Sequence, residues 1–151
     1  MFGPIMRFEV SELSIELAPM KRGEMPQFVQ SGGMQSQRVI QYLGRLGALV
    51  EEDEYEWFER ARTDQKGFYW GIYVISKKKQ TLIGCTSIHL GEGAALPYAT
   101  TGCVIFRPEY WGRGIASACH RARTWFGFTR LGLVELRSAV LDGNTGSRRA
   151  L

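Results

Sequence analysis

Apolar and polar residues alternate over "LSIELAPM", residues 13–20, and Pro19 ends the run, the pattern of a half-buried strand. Two short helical stretches are predicted next, about 22–30 and 34–46, divided by the breaker "SGG" at 31–33. "EEDEYEWFERARTDQ", 51–65, carries acids at its start and arginines towards its end, the distribution a helix dipole favours, and its acids read as a solvated first turn. "GFYWGIYVIS", 67–76, and "TLIGCTSIHL", 81–90, are dense in β-branched and aromatic residues and are linked by "KKKQ", which predicts an antiparallel hairpin. A loop over "GEGAALPY", 91–98, leads to a further strand over "ATTGCVIF", 99–106. From Tyr110 to about Leu131, Ile115, Cys119, Ala122 and Phe126 recur at helical spacing, so an amphipathic helix is expected. "LVELRSAVL", 133–141, returns to strand character, "DGN" turns, and "TGSRRAL" opens another helix.

This order predicts an α+β domain whose last strand–helix–strand unit, 99–141, is a right-handed parallel crossover. A chain of 151 residues matches one domain able to bury a core, with residues 1–12 expected as a flexible leader before it. Hydrophobic residues at 44% and charged residues at 23% are ordinary for a folded soluble protein and exclude wholesale disorder. The net charge of +4 leans mildly towards an anionic ligand. Cys85, Cys103 and Cys119 lie singly inside apolar segments, so they read as buried thiols in a reducing compartment and not as a disulfide frame or zinc site. No apolar run reaches membrane-spanning length and the first residues lack a signal-peptide core, so a cytoplasmic location is expected, with no membrane partner.

The join between the strand at 99–106 and the following helix, "FRPEYWGRGIAS", is where candidate chemistry concentrates. A glycine-rich turn into a helix can hold phosphate, because the first N–H groups of a helix lack intrahelical acceptors and carry partial positive charge. A Walker loop would need GxxxxGK followed by Ser or Thr, and the lysine is absent. "GRGIAS" approaches the dinucleotide pattern GxGxxG, but "RPEYW" separates it from the strand, and Glu135 lies at the start rather than the end of its strand. The segment Trp111-Gly112-Arg113-Gly114-Ile115-Ala116 resembles the Gln/Arg-x-x-Gly-x-Gly/Ala loop of the GNAT superfamily of acetyltransferases, with Trp111 at the first position. Its lead-in "GCVIFRPEYWG" is similar to that of the subgroup containing ribosomal-protein N-terminal acetyltransferases. The resemblance covers most of 13–151 and is specific over 99–147.

That resemblance implies a GNAT fold: a central mixed, largely antiparallel sheet with flanking helices, in which the family's fourth and fifth strands run parallel and splay apart. It implies acetyl-CoA as co-substrate, with the diphosphate against the N–H groups of Gly112, Arg113, Gly114, Ile115 and Ala116. Independently of the family, the glycines allow close approach and Arg107 and Arg113 could supply charge-assisted bonds. The family's pantetheine arm would lie along Cys103, Val104 and Ile105, and Asn144 matches the family asparagine that bonds it, although a turn or helix-cap role suits Asn144 equally.

The implied reaction is direct attack of a primary amine, at a protein N-terminus or on a small molecule, on the acetyl thioester. It needs a general base, and the fourth-strand glutamate found in some relatives is missing from "ATTGCV". Glu92 and His89 are the nearest candidates by topology, while His120 and Cys119 on the helix read as structural and core. The sequence stops at Leu151, before the position of a tyrosine that acts as general acid in many relatives. The chain is therefore expected to lack the family's last strands, leaving an unpaired edge at 133–141 and a possible homodimer. The family shapes its acceptor site with the segment here at about 22–50, which offers Gln30, Gln35, Gln37, Arg38 and Tyr42. A non-catalytic acyl-CoA sensor on the same fold is the alternative, and nothing in the sequence forms a nucleic-acid motif.

Overall fold

The computed structural model describes residues 1–44, 47–77, 79–92 and 97–151. Along the chain run strands β1 (Met6–Val10) and β2 (Leu13–Ala18), the four-residue helices α1 (Pro26–Val29) and α2 (Gln37–Ile40), and helix α3 (Glu51–Thr63). Strands β3 (Gly67–Ser76), β4 (Lys79–Leu90) and β5 (Tyr98–Ile105), helix α4 (Ile115–Arg130), strand β6 (Glu135–Ser138) and helix α5 (Thr145–Ala150) follow. Among the described residues the strands form a six-stranded sheet in chain order, antiparallel except for the parallel pair β5 and β6.

The sheet separates two apolar layers. On one face Ile15, Trp70, Ile72, Ile88 and Ala99 pack with Ile115, Ala118, Cys119 and Phe126 of α4, so the helical repeat read from the sequence is the stripe that α4 buries. On the other face Ala18, Tyr73, Leu82 and Phe106 pack with Met25, Phe28, Val29 and Phe58 from the α1–α3 region. The β3–β4 hairpin forms as its sequence predicts, with a bulge where Ile72 faces Gly84 but Tyr73 faces Leu82. Lys78 of its turn, Arg45 and Leu46 of the helix expected at 34–46, and residues 93–96 of the expected 91–98 loop lie outside the described residues.

Several expectations are corrected. Residues 1–12 are not a flexible leader: Met6–Val10 pair with β2, and Arg7 forms an ion pair with the buried Glu16. Further up, the Gly3 N–H donates to Tyr69 O at 3.0 Å and Trp70 Nε1 donates to Pro4 O at 2.8 Å. The segment supplies a strand partner that β2 alone could not provide, and only tertiary pairing decides that. Among the described residues, the helices expected at 22–30 and 34–46 shrink to the single turns Pro26–Val29 and Gln37–Ile40; in the first, Gly23 and Pro26 leave too few consecutive helical residues to propagate. Helix α4 starts at Ile115 and not Tyr110, after a 3-10 turn over Pro108–Tyr110. Strand β6 keeps only Glu135–Ser138 of the expected 133–141, since β5 offers partners only from Tyr98 to Thr101. The first turn of α3 is not wholly solvated either, because Glu54 is buried.

A Cβ added at Gly3 would lie 2.0 Å from the Trp70 ring. Gly3→Ala should therefore cost about 1–3 kcal/mol through overpacking and lower the melting temperature by about 3–8 °C. Scanning calorimetry checks this, and an unchanged melting temperature would show that the segment does not dock on β3.

Candidate active site

Pairing between β5 and β6 ends at Thr101 and Ser138, and beyond that point Gly102–Ile105 run on without a β6 partner among the described residues. Two cavities open at this divergence. The larger, about 630 Å³, is a groove walled by Cys103, Val104 and Ile105, floored by the turn from Tyr110 to Ser117, and closed by Arg38, Tyr42 and the start of α5. The smaller, about 370 Å³, lies on the α3 side and is lined by Phe28, Met34, Leu49, Asp53, Glu54, Trp57, Arg60, Tyr69, Ser87 and His89. Leu43, Cys103 and Val104 line both, so the two spaces meet at the middle of β5.

The floor of the groove is built by backbone conformation. Gly112 and Gly114 both adopt left-handed φ, 71° and 76°, which a side chain at either position would strain. A Cβ at Gly112 would meet nothing within 4 Å, so the requirement there is conformational and not steric. Helix α4 then begins with no side-chain cap and no acid in its first turn. Its first bond runs from the Ala118 N–H to Gly114 O at 3.1 Å, and the N–H groups of 112–117 find no acceptor among the described residues. A concave set of free N–H groups at the positive end of a 16-residue helix has the geometry and charge that suit an anion, and Arg38, Arg113 and Arg149 border it.

Of the residues predicted to contact a cofactor, Cys103, Val104, Ile105, Trp111, Gly112, Arg113, Gly114, Ile115, Ala116 and Asn144 all line this groove. Arg107 does not. Its Nε donates to Leu82 O at 2.9 Å and its guanidinium stands over Phe106, so it ties the end of β5 to β4. Trp111 Nε1 donates to Ile105 O at 2.8 Å, which occupies that carbonyl, and Arg38 stacks 5.1 Å above the indole. Asn144 Oδ1 accepts from the Ser147 N–H at 3.0 Å, capping α5, so both readings of this residue meet in one side chain.

In the smaller cavity His89 is the end of a hydrogen-bonded chain. Tyr69 donates its hydroxyl proton to Asp64 Oδ2 at 2.6 Å, and its oxygen lies 3.4 Å from His89 Nδ1. With the phenolic proton committed to Asp64, His89 must donate from Nδ1, and Nε2 is left to accept from Ser87 Oγ at 2.9 Å. Hydrogen bonding to Tyr69 holds the Asp64 carboxyl below its usual range, and burial pushes the Tyr69 hydroxyl up. Burial pushes the His89 imidazole down from 6.5, against the opposing pull of Asp64. Glu92, the other candidate base, is exposed, ion-paired with Lys66 and absent from the cavity lining. Of the acceptor-segment residues, Arg38 and Tyr42 face the groove instead of the cavity, Gln35 donates to Leu49 O at 2.9 Å, and Gln30 and Gln37 line neither space.

Sequence reasoning missed Trp57, Tyr69, Ser87 and Arg123. Trp57 and Tyr69 sit in runs that read as ordinary helix and strand, and nothing local marks them. Arg123 is 1% exposed; its Nη1 donates to Thr86 Oγ1 at 2.5 Å and to Gly102 O at 2.7 Å, and its Nη2 donates to His120 Nδ1. An arginine inside an apolar helical stripe was the available signal. Burial, reinforced by this guanidinium, lowers the His120 imidazole to about 4.

A family model for the acetyltransferase (GNAT) domain matches residues 14–151, and the chain belongs to that family. Solved structures agree in fold. An acetyltransferase (GNAT family) from Bacillus anthracis has a TM-score of 0.72 at 20% identity over 96% of this chain and 80% of that one. RimJ from Mycobacterium smegmatis in complex with CoA-disulfide gives 0.78 at 16% identity over 97% and 72%. Spermidine N-acetyltransferase from Vibrio cholerae in complex with CoA and spermine gives 0.73 at 17% identity over 90% and 76%. A search of curated proteins returned no match.

The His120 environment is directly testable. Its folded-state value of about 4 lies below the ordinary 6.5, so protonation favours the unfolded chain, and this contribution to stability is complete above 6.5 and lost as pH falls towards 4. A histidine NMR titration should show one imidazole with a midpoint near 4; a midpoint above 6 would show that Arg123 does not face it.

Proposed function

We propose that the protein is an N-acetyltransferase that moves an acetyl group from acetyl-CoA to a primary amine, a protein N-terminus or a small molecule, by direct attack. The observation that carries this reading is the meeting of two cavities at Cys103 and Val104, one built for an elongated anion and the other holding a histidine oriented by hydrogen bonds.

The groove fits coenzyme A by the chemistry of its lining. Free N–H groups at 112–117 and the guanidinium of Arg113 suit a diphosphate, and the unpaired backbone of Cys103 on the β6 side of β5 suits an amide-bearing arm. When bound, the co-substrate supplies an activated acetyl thioester. The strand from Gly102 onward positions it, and a free β5 N–H in the gap can donate to the thioester oxygen as negative charge develops there. His89 Nε2, through Ser87 Oγ, takes the proton that the amine nitrogen loses. The N–C bond forms, the C–S bond breaks, and the departing sulfur takes up one proton, giving the N-acetyl amine and free thiol. Phe28, Trp57 and Tyr69 give the acceptor an apolar, aromatic berth, with Asp53 and Glu54 on the same wall to suit a cationic amine. The spermine held by the Vibrio cholerae enzyme and the CoA held by two of the neighbours support this reading.

Isothermal titration with acetyl-CoA should show saturable binding, and Gly114→Val should weaken it at least about tenfold because a β-branched residue is strained at φ 76°. Equal affinity in that variant, with its fold checked by melting, would remove the turn from the site. With an amine acceptor, His89→Ala should lower kcat about 10²-fold or more. Because burial lowers the His89 imidazole and the neutral form is the base, kcat/KM should rise with pH to a plateau whose midpoint lies below 6.5. A pH profile unaltered by His89→Ala would reject the histidine as base.

A further inference from the structure

Helix α4 carries a charge into the core that its packing does not need. Arg123 lies on the α4 face of the sheet, behind the strand whose other face lines the acceptor cavity, among Cys103, Cys119 and Thr86. None of the ion pairs among the described residues includes it, and its Nε has no hydrogen-bond partner there. Its acceptors are Thr86 Oγ1, His120 Nδ1 and Gly102 O. A buried guanidinium compensated only by neutral acceptors is costly, and a leucine or methionine would fill the same space without that cost.

The position of Gly102 gives the charge a use. Gly102 is the first β5 residue past the end of pairing with β6, and its carbonyl accepts from both Arg123 Nη1 at 2.7 Å and Thr86 Oγ1 at 2.8 Å. No peptide bond in the chain is cis. In a trans peptide the N–H points opposite to the C=O, so the N–H of Cys103 points away from β4, into the gap where the two cavities meet. Positive charge drawn onto the Gly102 oxygen pulls electron density through the amide and makes that N–H a stronger donor. It also fixes the plane of the peptide, so the donor needs no reorientation when charge develops opposite it.

We infer that Arg123 is a positioning residue for catalysis: from behind the sheet it holds and polarises the Gly102–Cys103 peptide, whose N–H is the donor to the thioester oxygen. This rests on the proposed acetyl transfer. It separates the two jobs of the core, since the residue that best serves packing at 123 is not the one that best serves the reaction.

The test compares Arg123→Met, Arg123→Gln and Arg123→Lys with the wild-type protein. The ¹³C=O stretch of bound acetyl-CoA, labelled in the acetyl carbonyl, is read by isotope-edited infrared spectroscopy beside kcat, KM and melting temperature. The wild-type protein should shift that stretch to lower frequency than in free acetyl-CoA. Arg123→Met should lose at least half of the shift and about tenfold in kcat, with KM for acetyl-CoA within about twofold and a melting temperature equal or higher. Arg123→Lys, which keeps the charge, should recover most of the shift. A folded Arg123→Met protein with the full shift and full kcat overturns the inference. Should that variant fail to fold, Arg123→Gln decides in the same way, because it keeps a donor to Gly102 O but lacks the charge. Absence of acetyl-CoA binding by the wild-type protein sinks the proposed function and this inference together, whereas binding with an unchanged stretch in Arg123→Gln sinks the inference alone.

Discussion

Two parallel strands that begin paired and then part leave backbone groups with nothing to bond, and the rest of this molecule is arranged around that condition. Pairing of β5 with β6 lasts from Tyr98 to Thr101 and stops, so the outward-facing groups of Gly102–Ile105 must find other partners. Inside the protein one of those demands is met, since Trp111 Nε1 donates to Ile105 O; Arg123 reaches from behind to Gly102 O, which faces β4. The remaining free backbone edges the gap on which both cavities open.

The neighbouring elements work on the same gap from different sides. The left-handed glycines at 112 and 114 turn the chain so that α4 starts at the mouth of the groove with its N–H groups uncapped. Arg107, which by charge alone looks like a phosphate ligand, is committed to Leu82 O and keeps the end of β5 attached to β4 while its other edge comes free. Across the sheet, α3, β3 and β4 bring Trp57, Tyr69 and His89 together, and the chain of Asp64, Tyr69 and His89 assigns the imidazole its tautomer. Burial and polarity are thus segregated: the α4 face is apolar except for Arg123 and its partners, and the α3 face carries the titratable groups.

Much of this was legible in the residues. Period-two runs marked β2–β5 to within a few residues, because each has one face that must be buried and the pattern records which. The groove was legible too, since backbone N–H groups at a glycine turn are local features: ten of the eleven residues expected there do line it. The failures share one cause. Residues 1–12 carry a weak strand pattern that becomes β1 only because β2 offers an edge, and Arg107 points where Leu82, distant in sequence, draws it. The smaller cavity was largely misread because its lining comes from α1, α3, β3, β4 and β5 at once, and no one segment carries its signature.

The sequence by itself determined strands β2–β5, helices α3 and α4, the order in which these follow one another and the glycine turn before α4, because each depends on residues within about one helical turn or one strand of one another. Tertiary structure decided where β5 and β6 part, which arginine lines the groove and which ties β5 to β4, and which histidine lines the smaller cavity. Those outcomes depend on which distant carbonyl, hydroxyl or strand edge lies within hydrogen-bond reach, and a linear pattern holds no record of that distance.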